Sequence, residues 1–159
     1  MNHFHPFILS SLILAAAAPV AHAASRGVLD RAFNRVDIND DGFLTRTEFL
    51  ALQTNRTRWT EAMHRFNLAD VNLDDVLDPV EFRASNGGKY GRKPGKLDTF
   101  LLADLDESNS LDPDEFKLTE PQGNPWRKVL RDFGRKDRNN DNLLSRTEFG
   151  VFGRVVPAL

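Results

Sequence analysis

Apolar residues return along the chain at a fixed spacing around four polar blocks of 12 residues. Each block has leucine at its eighth position, with phenylalanine four residues before the block and another directly after it. The blocks begin at Asp37, Asp70, Asp104 and Asp137, so the period is 33 or 34 residues. The flanking residues are Phe33, Phe49, Phe66, Phe82, Phe100, Phe116, Phe133 and Phe149. Repetition of both polar and apolar positions predicts one structural unit, with its own core residues, occurring four times.

The segments that flank the blocks have the pattern of helices. Before the first block, one helical face collects Leu29, Ala32, Phe33 and Val36. The first and fourth blocks end in a hydroxyl residue followed three positions later by Glu, which is a capping box. The second and third end in Asp followed by Pro, and Pro is favoured at the first helical position. The sequence therefore predicts four helix–loop–helix units and an all-α fold.

Within each block, side chains that carry oxygen stand two residues apart. In the first block, DINDDGFLTRTE, Asp37, Asn39 and Asp41 precede Gly42, and Glu48 closes the block. Glycine permits the positive φ of a sharp turn. Clustered carboxylates repel one another, and a cation that takes six to eight oxygens at about 2.3–2.6 Å, as Ca²⁺ does, would offset this repulsion.

This spacing, repeated four times, resembles the EF-hand superfamily, in the four-unit arrangement of calmodulin-like proteins. The resemblance covers nearly all of residues 26–154. It implies four EF-hands paired into two lobes, with short antiparallel bridges between paired loops. The predicted loops, numbered one to four, are residues 37–48, 70–81, 104–115 and 137–148.

The resemblance also implies a ligand set for three or four Ca²⁺ ions. In each loop it assigns the side chains at positions 1, 3, 5, 9 and 12 and the backbone carbonyl at position 7. The side-chain ligands implied are Asp37, Asn39, Asp41, Thr45, Glu48, Asp70, Asn72, Asp74, Asp78, Glu81, Asp104, Asp106, Ser108, Asp112, Glu115, Asp137, Asn139, Asp141, Ser145 and Glu148. The carbonyls implied are those of Phe43, Val76, Ser110 and Leu143.

Three loops depart from the family pattern at position 6, where glycine is usual. Asp75, Asn109 and Asn142 stand there instead, and Asp and Asn tolerate the left-handed conformation better than other non-glycine residues. We therefore expect these loops to close with some strain. Ser108 makes loop three the one furthest from the pattern, because its position 5 is neutral. Glu at position 12 of every loop favours calcium over magnesium.

The segment SNGGKYGRKPGK, residues 85–96, divides the repeats into two pairs. Its glycines and proline disfavour a continuous central helix. We expect an N-terminal EF-hand pair in residues 26–86, a flexible basic linker in 87–95 and a C-terminal pair in 96–154. The basic residues are Lys89, Arg92, Lys93 and Lys96. They are typical of a solvated linker, and the alternative is a basic contact for an anionic lipid or a partner.

Residues 1–23 contain no Asp, Glu, Lys or Arg. An apolar run from Phe7 to Ala18 leads to Ala21-His22-Ala23, a small-x-small cleavage pattern, and the run is shorter than the ~20 residues of a spanning helix. This pattern predicts a signal peptide, with an uncleaved anchor as the alternative. The expected location is therefore secreted or periplasmic, as for a bacterial-type exported EF-hand protein.

Composition narrows the function further. The chain has no cysteine, which excludes disulfides, thiolate catalysis and a sulfur-ligated zinc site. A formal net charge of −2 gives no indication of nucleic-acid binding, and no catalytic motif stands outside the loops, so we expect no enzyme. The expected function is a calcium sensor or adaptor whose lobes change conformation on metal binding. The alternative is a calcium buffer or a calcium-stabilised structural protein. A specific protein or an anionic envelope surface would be the partner, and the chain would not span a membrane after signal removal.

Overall fold

The structure, a computed structural model, describes residues 20–89 and 91–152, with the backbone alone for residues 20–26. The described helices are α1 Val20–Val36, α2 Arg46–Ala51, α3 Trp59–Ala69, α4 Pro79–Ala84, α5 Lys96–Ala103, α6 Pro113–Leu118, α7 Trp126–Gly134 and α8 Arg146–Phe149. Two short strands, β1 Ser110–Leu111 and β2 Leu144–Ser145, form one antiparallel sheet. The prediction of a mainly helical fold with short antiparallel pairing is confirmed.

The predicted signal peptide lies largely outside the described residues, which begin at Val20 within α1. Its cleavage stays a prediction. Among the helices described, none combines the length and apolar character that crossing a membrane requires.

The leucine at position 8 lies at the centre of two loop pairings. Leu44 and Leu77 exchange both backbone hydrogen bonds, each with an N···O distance of 2.9 Å, and so join loops one and two. In the second pairing, Leu111 of β1 stands opposite Leu144 of β2 and joins loops three and four. All four leucine side chains are fully buried, so the pairing also anchors the loops on the cores below them.

Two separate hydrophobic clusters collect the phenylalanines of the repeat, four in each. The first cluster contains Phe33, Phe49, Phe66 and Phe82, and the second contains Phe100, Phe116, Phe133 and Phe149. Their rings meet edge to face, with centroids 5.5–5.7 Å apart in the closest pairs, a favoured aromatic geometry. The residues that reveal the repeat in the sequence therefore also form its cores.

Each helix that follows a loop begins as the sequence predicts. Thr45 and Ser145 cap α2 and α8 through capping boxes with the glutamate three residues later. Asp78 and Asp112 do the same for α4 and α6, and proline occupies the first turn of both helices. The predicted helix starts are confirmed, and each capping box thereby fixes the glutamate at the C-terminal end of its loop.

The two halves of the chain touch, which the sequence did not reveal. Helices α3 and α5 pack against each other. Beside them, the N–H of Gln122 donates to the carbonyl of Thr57 at 3.2 Å, and that of Gly123 to the carbonyl of Asn55 at 2.8 Å. The turn between α2 and α3 is thus bonded to the turn between α6 and α7.

The glycine-rich segment between α4 and α5 contains no helix in its described residues, as predicted. It lies close against the first half of the chain. A Cβ at Gly88 would stand 2.2 Å from the Phe49 ring, and one at Gly91 would stand 2.6 Å from the Leu68 side chain. Both glycines also have positive φ, so the segment needs glycine to make this approach. The flexibility expected for residues 87–95 stays a prediction.

Candidate metal centres

All four loops close through the same backbone turn at position 6. The residue there has positive φ in every loop, although only Gly42 is a glycine; the others are Asp75, Asn109 and Asn142. Its N–H donates to the position-1 carboxylate, over 3.0 Å to Asp37, 3.1 Å to Asp70, 3.1 Å to Asp104 and 3.0 Å to Asp137. The expectation that Asp and Asn can replace glycine here is confirmed.

Position 4 of each loop is also left-handed, which the sequence analysis missed. The residues are Asp40, Leu73, Glu107 and Asn140, with φ between 54° and 60°. Asp40 and Asn140 are of types that tolerate this region, so a weak signal was present for them. Leu73 and Glu107 carry no such signal, since neither type favours positive φ.

The glutamate at position 12 holds the two ends of its loop together. One oxygen accepts the N–H of position 2, at 3.1 Å for Glu48, 3.0 Å for Glu81, 2.8 Å for Glu115 and 3.1 Å for Glu148. The other accepts the N–H of position 9, at 2.9, 3.2, 3.1 and 3.0 Å in the same order. Each carboxylate therefore faces the interior of its loop, where a calcium ligand is required.

Hydrogen bonds lower the pKa of three loop carboxylates, those of Glu48, Glu148 and Asp106. The backbone N–H of Thr45, and then its hydroxyl, lower the pKa of Glu48. The hydroxyl of Ser145, and then its backbone N–H, lower the pKa of Glu148. Ser108 lowers the pKa of Asp106 in the same way, first through its hydroxyl. Metal binding requires deprotonated carboxylates, so these contacts prepare the loops for a cation at neutral pH.

The position-1 aspartates supply buried negative charge, since all four are 8% exposed or less. Within the described part of the chain, Asp37 Oδ1 and Asp104 Oδ1 are buried without a hydrogen-bond partner. The equivalent oxygens of Asp70 and Asp137 accept the N–H of position 5, at 3.2 and 3.3 Å. An unpartnered buried carboxylate oxygen is costly, so loops one and three fit a cation that would satisfy it.

Carboxylates converge within two loops closely enough to share an ion. Their oxygens lie within 4.8 Å of one another in two groups, formed by Asp70, Asp74 and Glu81 and by Asp104, Asp106 and Glu115. This separation is about twice the calcium–oxygen distance, so one ion would reach all three groups. Loop three, the furthest from the family pattern, thus combines a carboxylate cluster with an unpartnered buried oxygen.

Other predicted ligands are bonded to their neighbours. In loops one and four, the amides of Asn39 and Asn139 donate to the carboxylates of Asp41 and Asp141, at 2.7 and 2.8 Å. In loops two and three, Asn72 donates to Asp74 at 2.9 Å, and the hydroxyl of Ser108 donates to the Ser110 carbonyl at 3.1 Å. Positions 3 and 5 are therefore adjacent in loops one, two and four, as are positions 5 and 7 in loop three, and these side chains would give up the bonds on binding a metal ion.

The residues at position 9 have a structural role that precedes any metal. The hydroxyls of Thr45 and Ser145 donate to the position-12 glutamates at 2.7 and 2.6 Å. Asp78 and Asp112 accept backbone N–H groups of α4 and α6 as caps. Their assignment as ligands stays a prediction.

Known proteins resemble this chain in the region of the predicted loops. A family model described as EF hand matches residues 29–53 and 97–118, which contain loops one and three. Calcium-dependent protein kinase 32 of Arabidopsis thaliana is 24% identical over 128 residues, covering 78% of this chain and 24% of the kinase. The chain thus spans about a quarter of that relative's length.

Among solved structures, a redox protein from Chlamydomonas reinhardtii matches 84% of this chain and 49% of its own chain, with 19% identity and a TM-score of 0.36. The family model, the curated relative and the carboxylate clusters support EF-hand calcium-binding units in this chain, with loops one and three inside the matched residues.

Proposed function

We propose that this chain is an exported calcium sensor or adaptor in which four EF-hands, paired into two lobes, hold three or four Ca²⁺ ions. The observation that carries the proposal is the repeated position of the glutamate at position 12, which bonds the same two loop N–H groups in all four loops. The curated relative supports the choice of metal, because its name records a dependence on calcium.

The pairing supports four units in two lobes. Loops one and two meet at Leu44 and Leu77, and loops three and four meet at Leu111 and Leu144. Each pair stands on its own hydrophobic cluster. Three or four ions follow because all four loops share the position-6 and position-12 closure, while loop three has a neutral serine at position 5.

The predicted ligands would hold an ion through their oxygens, and a bound ion would neutralise carboxylates that otherwise repel one another. The glutamate at position 12 and the phenylalanine after it connect the loop to the core. Glu48 is the third residue of α2, and the next residue, Phe49, packs edge to face on Phe66 with centroids 5.6 Å apart. A shift of the Glu48 carboxylate would therefore turn α2 and disturb the packing of Phe49. This connection supports a sensor.

Charge and composition suggest the kind of partner. Four divalent ions would turn a chain of net charge −2 into a cationic one, and Lys89, Arg92, Lys93 and Lys96 add local positive charge. An acidic protein surface or an anionic envelope fits such a surface. Apart from Met1, the only methionine is Met63, which is buried, so an adaptable methionine-rich groove is missing and the partner would be a specific one.

A calcium buffer or calcium-stabilised structural protein is the second candidate. It is favoured by the tight packing of the molecule, since all eight loop-flanking phenylalanines are 8% exposed or less. The backbone bonds between the two halves also oppose opening. A buffer would take up calcium and leave these contacts unchanged. Neither candidate includes a catalytic activity.

Hydrophobic-dye fluorescence separates the two candidates. For the sensor, fluorescence should rise when calcium is added to the metal-free chain, because helix reorientation exposes phenylalanine. The same form should bind vesicles of anionic lipid, and binding should weaken at high salt. Magnesium at equal concentration is the control. Full calcium uptake with neither change would overturn the sensor in favour of the buffer.

Export is tested separately from metal binding. Expressed in full in a secreting host, the chain should lose residues 1–23 and leave the cytoplasm. Mass spectrometry of the N-terminus reads the result directly. A chain that retains Met1 or Asn2 would contradict a cleaved signal and would leave the calcium proposal intact.

A further inference from the structure

An arginine at position 10 of one loop reaches position 6 of its partner loop in both pairs. Arg46 Nη2 lies 2.7 Å from Asp75 Oδ1, and Arg146 Nη2 lies 2.6 Å from Asn109 Oδ1. The sequence alternates accordingly, because position 10 is arginine in loops one and four and proline in loops two and three. Each pair therefore has a donor loop, which supplies the arginine, and a receiving loop, whose position-6 side chain accepts the hydrogen bond.

Each arginine is held at a second place on the receiving unit. The guanidinium of Arg46 lies over the Phe66 ring, 4.8 Å from its centroid, and that of Arg146 lies over Phe100 at 5.5 Å. Both rings belong to the phenylalanine that stands four residues before the receiving loop. A planar guanidinium can stack on a ring and donate to an acceptor at its edge together, which lysine cannot do.

The receiving residue is the one that departs from the family pattern. Asp75 and Asn109 have φ of +66° and +63°, where a side chain is strained. Their N–H groups donate to the carboxylates of Asp70 and Asp104, both at 3.1 Å. The arginine holds the side chain at position 6 and so restrains the backbone of the turn. The N–H of this backbone in turn orients the carboxylate at position 1.

We propose that Arg46 and Arg146 are positioning residues that hold position 6 of the partner loop in its left-handed turn and so support metal binding by loops two and three. The inference rests on the proposed calcium binding. The arginine contact gives two of the three loops that lack glycine at position 6 an added support for their closure, while loop four closes at Asn142 without one in the part of the chain that the structure describes. It also links the loops of a pair, because the arginine lies at the first turn of the helix that carries the other loop's glutamate.

A double-mutant cycle at Arg46 and Asp75 tests the inference. Arg46→Ala should weaken calcium binding by loop two by up to about fivefold, since both partners are exposed and such pairs are worth up to about 1 kcal/mol. In an Asp75→Gly background the same change should cost less than twofold, because glycine needs no anchor. The backbone amide at position 75, followed by NMR during calcium titration, reports this loop alone.

Matched variants separate positioning from charge. Arg83→Ala removes the same charge from the same half, and its ion pair with Asp30 lies between α4 and α1, so loop two should be unchanged. Arg146→Ala should weaken loop three although its recipient, Asn109, is neutral. An equal loss for Arg46→Ala with and without Asp75→Gly would overturn the inference.

A metal-free measurement keeps the inference distinct from the proposed function. In excess chelator, hydrogen exchange of the amide at position 75 should accelerate about fivefold in Arg46→Ala and stay unchanged in Arg83→Ala. Unchanged exchange in Arg46→Ala contradicts a positioning role. Accelerated exchange in a chain whose loop two takes up no calcium would keep the positioning role and refute the calcium proposal for that loop.

Discussion

Replacing Phe116 by alanine is expected to lower the free energy of unfolding by about 3–5 kcal/mol. The side chain is 1% exposed, and its ring packs edge to face on Phe133 and Phe149 at centroid distances of 5.7 and 6.4 Å. Removing the ring leaves a cavity between α6, α7 and α8 and removes both aromatic contacts. Chemical denaturation in excess chelator measures the loss without a contribution from bound metal.

The matched control is Phe152→Ala, since Phe152 is 81% exposed. It should change the free energy of unfolding by no more than about 0.5 kcal/mol. Equal effects of the two substitutions would show that the second cluster is not the core of the C-terminal half. If their loops still bind calcium, the ion should raise the free energy of unfolding of both variants by the same amount.

Replacing Glu48 by glutamine should remove one calcium site. The carboxylate accepts hydrogen bonds from Ile38 and Thr45 in the loop it closes, and a neutral amide offers one oxygen in place of two charged ones. We expect the affinity of loop one to fall at least about tenfold, or about 1.4 kcal/mol. Calorimetry at concentrations that saturate the unaltered chain should then count one ion fewer.

Glu61→Gln is the control for this substitution, because Glu61 pairs with Arg65 on α3 outside every loop. It should leave the number of ions unchanged. Thermal unfolding in chelator shows whether Glu48→Gln still folds, since the lost charge also weakens the capping box of α2. A folded Glu48→Gln chain with unaltered stoichiometry and affinity would falsify the assignment of loop one.

Local chemistry made much of the architecture predictable. The helix starts at Thr45, Asp78, Asp112 and Ser145 depend on short-range hydrogen bonds, which a sequence displays directly. The two cores were also predictable, because phenylalanine recurs at the same two positions of every unit and is buried in each. Position 6 was predictable for a related reason, since Asp and Asn are the residues that replace glycine at positive φ.

Contacts between distant residues were not predictable. The bonds from Gln122 and Gly123 to the turn that contains Thr57 join segments more than 60 residues apart, and no residue pattern in either turn indicates the other as its partner. The reach of Arg46 to Asp75 also depends on how the paired loops stand to one another. The sequence shows only that arginine and proline alternate at position 10, and this alternation does not indicate a contact until the pairing of the loops is known.

A calorimetric titration of the metal-free chain with CaCl₂ is the direct test of whether the four loops bind calcium. The loops share the closure by position 6 and position 12, and in loops one and three a buried carboxylate oxygen finds no hydrogen-bond partner among the described residues. We predict saturation at three or four ions per chain, with affinities of about 10⁻⁴–10⁻³ M if the chain works outside the cytoplasm. Saturation at two ions or fewer would contradict the assignment of four functional loops, and no heat of binding at millimolar calcium would contradict calcium binding by this chain altogether.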